Sequence, residues 1–542
     1  TSMGDYIGVW TKAQQGTAKG AKANATKDNS LSWIWDNIVN YTWKKSVHSI
    51  TATGVFSAQK YQYDRLYGAS KDLSFNSLWY NLNGGAIESL SSNFSQWTMM
   101  SYVGRINYGL MDRYLLTASL RYDGSSRLSE GNKWALFPSA AIAWRITEED
   151  FAKNLDWLSN LKLRFSYGQA GNTNSVSPYA SEGTISGSVY YPFGTSTSVG
   201  NLPANIANPM LTWERTSEYN VGLDFGFLNQ RISGNIEYYN RTTNDLLMKR
   251  NIPVHLGYSS VTSNVGSVRN SGFELQLNTA NIMTKNFAWN TTINLAYNKN
   301  EIVSLADEED LSNYSIHLQG MRGRYSDKRF IGKPVDTNWT QNTIGVWQLG
   351  EEEEAAKYGC VPGNFKIKDY NNDGKLTDDD YIIDGKRTPD WTGGMTNMFK
   401  IYDFDFSFHM YFQAGATQYD RFFENFALEW NSQNFNNLRT NYWTPENPSN
   451  TMGRPSQMGS RGNIAYERTD FLKVSYITLG YTLNKRLMSK WGLDNARIYV
   501  TVQNPFILTK FRGLDPEQPD LTNIGDTDGM TMNALLGVNI SF

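Results

Sequence analysis

The feature that most constrains this chain is an alternation of apolar and polar residues at every second position. Tyr114, Leu116, Ala118, Leu120 and Tyr122 alternate with Leu115, Thr117, Ser119, Arg121 and Asp123. Phe287, Trp289, Thr291, Ile293, Leu295 and Tyr297 alternate with Ala288, Asn290, Thr292, Asn294, Ala296 and Asn298. Phe404, Phe406, Phe408, Met410 and Phe412 alternate with Asp405, Ser407, His409, Tyr411 and Gln413. Successive side chains of a strand point to opposite faces, so each stretch is a strand with one apolar and one polar ribbon. The stretches run about nine to eleven residues, the length that crosses a bilayer when tilted. Aromatics near their ends suit two interfacial girdles. A soluble sandwich would turn its apolar ribbon inward and set charges outside. Here the polar ribbon is mostly Asn, Ser, Thr and Gly, which suits a wetted interior. The expectation is a transmembrane antiparallel β-barrel, with Leu116, Ile293 and Phe406 facing acyl tails.

Composition narrows the alternatives. Over 542 residues, 50 Lys and Arg against 52 Asp and Glu leave a net charge of −2, which gives no electrostatic footprint for nucleic acid. An aromatic content of 14% argues against disorder. There is no apolar run of about 18 residues, so membrane-spanning helices are excluded. Cys360 is the one cysteine, so it has no partner for an intrachain disulfide, and it reads as an inert loop residue. His48, His255, His317 and His409 are scattered and form no metal-binding pair motif. Neither a nucleophile motif nor a phosphate-cradling loop is present, and the chain does not read as an enzyme.

Connection lengths support a barrel. Short turns at 44–46, 111–112, 229–230, 281–285 and 402–403 separate strands from long Gly/Ser/Asn-rich segments near 60–96, 170–216, 245–265, 300–391, 415–470 and 504–533. Outer-membrane barrels have short turns on one side and long loops on the other. The strand-like run at 338–349 (NWTQNTIGVWQL) would break this alternation if it crossed. Residues 300–391 therefore read as one long extracellular excursion with its own hairpin. About fifteen crossing strands remain, an odd count for a bacterial barrel. Residues 1–542 thus read as the C-terminal part of a barrel, with a plug domain and the first strands expected outside this chain. The last strand places Leu536, Val538, Ile540 and Phe542 on one face and ends on an aromatic residue. The acidic run Glu351–Glu354 reads as a solvated face or a short loop helix.

Several segments, in order, resemble the SusC/RagA family of TonB-dependent outer-membrane transporters. They include 102–108 (YVGRINY), 114–126 (YLLTASLRYDGSS), 137–147 (FPSAAIAWRIT) and 161–172 (LKLRFSYGQAGN). They continue through 211–223 (LTWERTSEYNVGL), 236–246 (IEYYNRTTNDL) and 265–275 (VGSVRNSGFEL) to 443–448 (WTPENP), 471–483 (FLKVSYITLGYTL) and 515–517 (DPE). The resemblance implies a barrel of about 22 strands in the bacterial outer membrane. It also implies active import of oligosaccharides or peptides beneath a SusD-like lipoprotein lid, energised by the TonB complex through the plug. The alternative is a SusC-like barrel serving as a structural component of a larger secretion or surface-assembly complex.

One loop carries readable chemistry. Residues 369–380 read DYNNDGKLTDDD, placing Asp369, Asn371, Asp373, Lys375, Thr377 and Asp380 at the spacing of a calcium loop, with Gly374 at its sharp turn. Lys375 would offer only its carbonyl. Neighbouring carboxylates repel unless neutralised. The expectation is a structural Ca²⁺, ahead of Mg²⁺, that pins the excursion. Phe422, Phe426 and Trp430 recur every four residues, as on a short amphipathic helix. That stripe reads either as a stacking platform for a glycan or partner, or as local packing, and the same alternatives apply to Trp339, Trp347 and Trp391. Arg121, Arg164 and Asp224 are expected on the lumenal face, as part of a substrate path or as ordinary lumenal ion pairs or plug contacts.

Overall fold

The computed structural model describes residues 2–3, 21–73, 80–253, 255, 257–258, 260–427, 440–455, 460–484, 488, 490–518 and 530–542. Its main element is a 16-stranded sheet whose members follow one another in chain order, every pair antiparallel. Leaving out the two-residue strand Ser2–Met3, fifteen long strands remain. They are β1 (Ala21–Lys45), β2 (His48–Leu73), β3 (Ala86–Leu110), β4 (Tyr114–Ser125), β5 (Trp134–Arg145), β6 (Leu158–Asn172), β7 (Glu214–Phe227) and β8 (Ile232–Asn244). Then come β9 (Ser267–Met283), β10 (Phe287–Ser304), β11 (Trp391–Ile401), β12 (Phe404–Ala414), β13 (Phe471–Thr482), β14 (Asn495–Thr509) and β15 (Asn533–Ser541). The sheet is an up-and-down meander that does not close on itself.

The connections alternate along the whole meander. At one end they are the tight turns after β1, β3, β7, β9 and β11 and the segments 146–157 and 483–494. Ser46, Met111, Asp112, Leu228, Asn229, Gln230 and Tyr402 take left-handed backbone conformations in these turns. At the other end lie 74–85, 126–133, 173–213, 245–266, 305–390, 415–470 and 510–532. The run at 338–349 pairs inside the excursion, Thr337–Gln341 with Tyr381–Lys386 and Thr343–Val346 with Phe365–Ile367, and adds no crossing strand.

Register lines the apolar residues into rows across the sheet. One row runs Leu110, Tyr114, Trp144, Leu163, Leu223, Ile236, Leu275 and Leu295, then Gly393, Phe412, Leu472 and Leu508. Another runs Phe399, Phe406, Leu479, Val500 and Leu536. These residues point away from the polar ribbon. Leu116 is 44% exposed, Ile142 55% and Phe165 44%, and neither Ile293 nor Phe406 is buried. In water such a face would be untenable; against acyl tails it is the favourable one. No helix among the described residues is long and apolar enough to cross a membrane, so any crossing is made by strands.

One expectation is corrected. Residues 60–96 do not form a long loop, because β2 continues to Leu73 and β3 begins at Ala86, with Lys60 opposite Thr98 and Gly68 opposite Leu90. Apolar alternation lapses there, but cross-strand polar pairs replace it. Tyr63 donates its hydroxyl to Asp28 at 2.8 Å, and Asn29 donates to Asp64 at 2.8 Å. Similarly, the 170–216 segment carries a hairpin of Ile185–Phe193 and Ser196–Pro203.

Because the outward face needs lipid, a charge there should be costly and one on the inward face should not. Ile293→Arg, in the middle of β10, is expected to destabilise the full-length protein by about 2–4 kcal/mol in denaturant titrations in bilayers. The neighbouring inward Asn294→Arg is expected to stay near wild type.

Candidate functional site

The inward face is a wall of paired polar groups. Arg164 on β6 donates to Asp224 on β7 at 2.7 Å and to Glu237 on β8 at 2.8 Å, and Lys162 adds a 3.4 Å contact to Asp224. Gly222 lies beneath this network, where a Cβ would come within 2.9 Å of the Arg164 guanidinium. Arg241 pairs with Glu218 at 2.7 Å, and Arg121 with Asp123 at 2.6 Å. Asn270 accepts from Asn300 at 2.9 Å, and Tyr239 donates to Asn298 at 3.0 Å. Farther along, Arg497 donates to Asp405 at 2.8 Å across Gly480. Hollows open on this wall, two of them lined as follows. One, of about 660 Å³, is lined by Ser139, Ser166, Glu218, Arg241 and Asn270; the other, of about 420 Å³, by Glu237, Glu274, Asn294, His409 and Tyr411. Arg121, Arg164 and Asp224 thus stand on the polar side, each held in a local ion pair.

The larger dry clusters lie mainly in the connections and at the strand ends beside them. Val346, Phe365 and Ile367 from the excursion pack with Phe423, Ala427, Trp443, Met452 and Ala465 from the 415–470 connection. Trp443 donates to Gln348 at 2.9 Å, Val346 N–H to Asn450 at 3.0 Å and Asn463 to Asp384 at 2.8 Å. The 510–532 connection joins them: Arg512 pairs with Glu467 and stands 3.9 Å over the Phe423 ring. Three connections therefore build one folded cap. Val335 N–H donates to the inward side chain of Asn300 at 3.0 Å, which ties the cap to the polar wall. A second cluster joins 126–133 and 173–213 to Phe137 of β5 through Leu128, Val176, Leu211 and Trp213.

Within the excursion, the 369–380 loop is closed by its own backbone. Asp369 accepts from Asn372 N–H at 2.6 Å, Gly374 N–H at 2.9 Å and the Tyr358 hydroxyl at 3.0 Å. Asp380, fully buried, accepts from Tyr370 N–H at 2.8 Å and Thr377 N–H at 2.9 Å, and Thr377 and Asp380 form a capping box. Asp373 accepts from Lys375 N–H at 2.8 Å and touches Asn371 at 3.2 Å. Gly374 has φ +78° at the sharp turn. Burial works to raise the Asp369 pKa, but the Gly374 amide, the Tyr358 hydroxyl and the other loop amides outweigh it and hold the carboxyl below its ordinary range. Among the described residues, no group of three or more His, Cys, Asp or Glu side chains converges as a metal cage.

With this geometry in view, comparison with known proteins is decisive. The family described as TonB dependent receptor-like, beta-barrel matches residues 5–392. The chain belongs to the TonB-dependent receptor β-barrel family. TonB-dependent receptor P26 of Formosa agariphila is 32% identical over 97% of this chain and 54% of its own length. TonB-dependent receptor SusC of Bacteroides thetaiotaomicron is 35% identical over 82% of this chain and 44% of its own. The structure of the RagAB peptide transporter superimposes with a TM-score of 0.78 at 24% identity, covering 96% of this chain and 56% of that one. The SusC/RagA resemblance is borne out, and the relatives are receptors rather than enzymes. This chain spans about half the length of the curated relatives it matches.

In this receptor chain the aromatic stripe is only partly visible. The helix Arg421–Ala427 buries Phe423 and Ala427, one position beyond the expected ridge, and leaves Phe422 half-buried. The Phe426 side chain and Trp430 lie outside the described residues. Trp347 packs with Ala355 and the buried Cys360, Trp339 against the Leu311–Phe330 cluster, and Trp391 against Tyr297 at 4.8 Å. The acidic run lies mostly in a short helix, Glu352–Lys357.

Sequence reading missed Asp420. It caps the helix Arg421–Ala427, accepting from Phe423 N–H at 2.9 Å, and its other oxygen has no hydrogen-bond partner among the described residues. The available signal was an acidic residue immediately before a helical run. Burial, helped by Glu467, pushes its carboxyl up to about 6 against the pull of the Phe423 amide and Arg512. A carboxyl raised in the folded state is still protonated when its unfolded counterpart has ionised, so stability falls as pH rises towards 6. Hydrogen exchange, corrected for intrinsic rates, should show residues 419–427 less protected at pH 7.5 than at pH 5. Asp420→Asn, which keeps the cap, should remove that difference.

Proposed function

We propose that this chain is the wall and cap of a TonB-dependent importer in a bacterial outer membrane, taking up oligosaccharides or peptides with a SusD-like lipoprotein as its lid. The observation that carries this reading is the inversion of polarity. Apolar rows face outward, a polar, heavily ion-paired wall faces inward, and a folded cap stands over that wall at the end with the long connections. Such a wall binds polar solutes weakly at many points, which suits passage more than capture. The barrel does no chemistry in this scheme, and energy arrives through a plug pulled by the TonB complex. SusC and the RagAB peptide transporter support transport of this kind. In cells carrying the full-length protein, uptake of labelled oligosaccharide or peptide should require the receptor and collapse on adding a protonophore. Uptake indifferent to the protonophore would overturn active import.

We also propose that the 369–380 loop takes up a structural Ca²⁺. The support is its spacing, the tight turn at Gly374, and the presence of Asp369, Asp373 and Asp380 in one short loop. Asp373 and Asn371 are exposed and bonded only within the loop, and are free to swing towards the fixed pair Asp369 and Asp380. Each carboxylate oxygen has a second lone pair for a cation. Calorimetry on the full-length protein should register Ca²⁺ uptake that Asp373→Ala abolishes, and chelation should raise protease cleavage in 305–390 without unfolding the barrel. Unchanged uptake in the variant removes the site.

A further inference from the structure

The outward apolar row described above ends, on β12 to β14, in Phe412, Leu472 and Leu508. Towards the cap, Ala414 ends β12, Asp470 immediately precedes β13, Lys510 immediately follows β14, and Arg468 ends the short strand Tyr466–Arg468 of the 415–470 connection. A groove of about 1030 Å³ lies between them, with Phe412, Leu472 and Leu508 as its floor and Arg468, Asp470 and Lys510 at its upper rim. The level is where the apolar wall gives way to the cap.

The rim carries excess positive charge. Arg468, its side chain two-thirds exposed, meets Asp470 at 2.6 Å. Asp470 is also committed to the backbone, accepting from Gly415 N–H at 2.7 Å. Lys510 is exposed and has no ion-pair partner among the described residues. Two cations thus face one carboxylate that is already doubly bonded, above a floor of exposed hydrocarbon; Leu508 is 60% exposed. An occupant needs an acyl chain below and an anion above. Guanidinium and ammonium groups together select phosphate, which offers several strong acceptors. A zwitterionic phospholipid would bring its own ammonium group against Lys510 and Arg468.

We propose that this groove is a binding site for a phosphorylated glycolipid of the outer leaflet, its acyl chain on the Phe412–Leu472–Leu508 floor and its phosphate between Lys510 and Arg468. The proposal rests on the outer-membrane reading with the cap outside. The lipid would bridge the strand ends on which the 415–470 and 510–532 connections stand, bracing the cap from the membrane side.

The test is native mass spectrometry of the delipidated full-length protein with three probes: phosphorylated lipid A, its dephosphorylated form and phosphatidylethanolamine. Phosphorylated lipid A should be retained in preference to both others. Lys510→Ala should weaken its retention about fivefold, and the double variant with Arg468→Ala roughly twenty-five-fold, in line with the usual contribution of a basic residue at an anionic lipid surface. Equal retention of the three probes, or of wild type and double variant, overturns the proposal. Orientation is read separately, by labelling Lys357→Cys in the cap on intact cells with a membrane-impermeant maleimide. Labelling without lipid preference defeats the lipid site alone, whereas no labelling defeats the topology beneath it.

Discussion

Everything in this chain depends on one constraint: in hydrocarbon, every backbone N–H and C=O must find its partner within the protein. A meander of antiparallel strands satisfies it for every strand that has a neighbour on both sides, where side chains are the only surface the lipid meets. The alternation follows directly. Leu116, Ile142 and Phe165 stand side by side on the outside because their strands are in register, and Ser119 and Ser139 stand together on the inside for the same reason. Dry packing, which would organise a soluble protein from its centre, is displaced to the connections.

That displacement has a functional consequence. The wall holds its charges in local pairs such as Arg164 with Asp224 and Glu237, so its field is short-ranged and its surface is open to water. The cap is different. Trp443, Phe423 and Phe365 give it a core of its own, drawn from connections that are far apart in sequence but stand on neighbouring strands. The Asn300–Val335 hydrogen bond is among the contacts by which it meets the wall, and the Arg512–Phe423 contact among those that hold its third segment.

Much of this was legible beforehand. Period-two alternation fixes strand facing without any knowledge of partners, because the geometry of a single strand enforces it. Turn parity then placed 338–349 in the excursion and not in the sheet. The extension of β2 and β3 through residues 60–73 and 86–96 was not legible, because there the strands are held by Tyr63, Asp28, Asn29 and Asp64, whose pairing exists only once register is set. The short helix expected around Phe422 forms at Arg421–Ala427, but its facing was not legible either. Helical spacing predicts a stripe but not its orientation, and the cap core chose Phe423 and Ala427.

The sequence by itself determined the class of architecture, the number of long strands, the outward polarity of their apolar ribbons and the loop in which acidic residues gather, since each follows from local geometry or local spacing. Only the tertiary structure decided which connections fuse into the cap, that Asp420 is buried with one oxygen unpaired, and that Lys510 and Arg468 crown an apolar groove. Those facts depend on contacts between residues tens of positions apart. Nothing in a one-dimensional pattern specifies such contacts until strand register has brought them together.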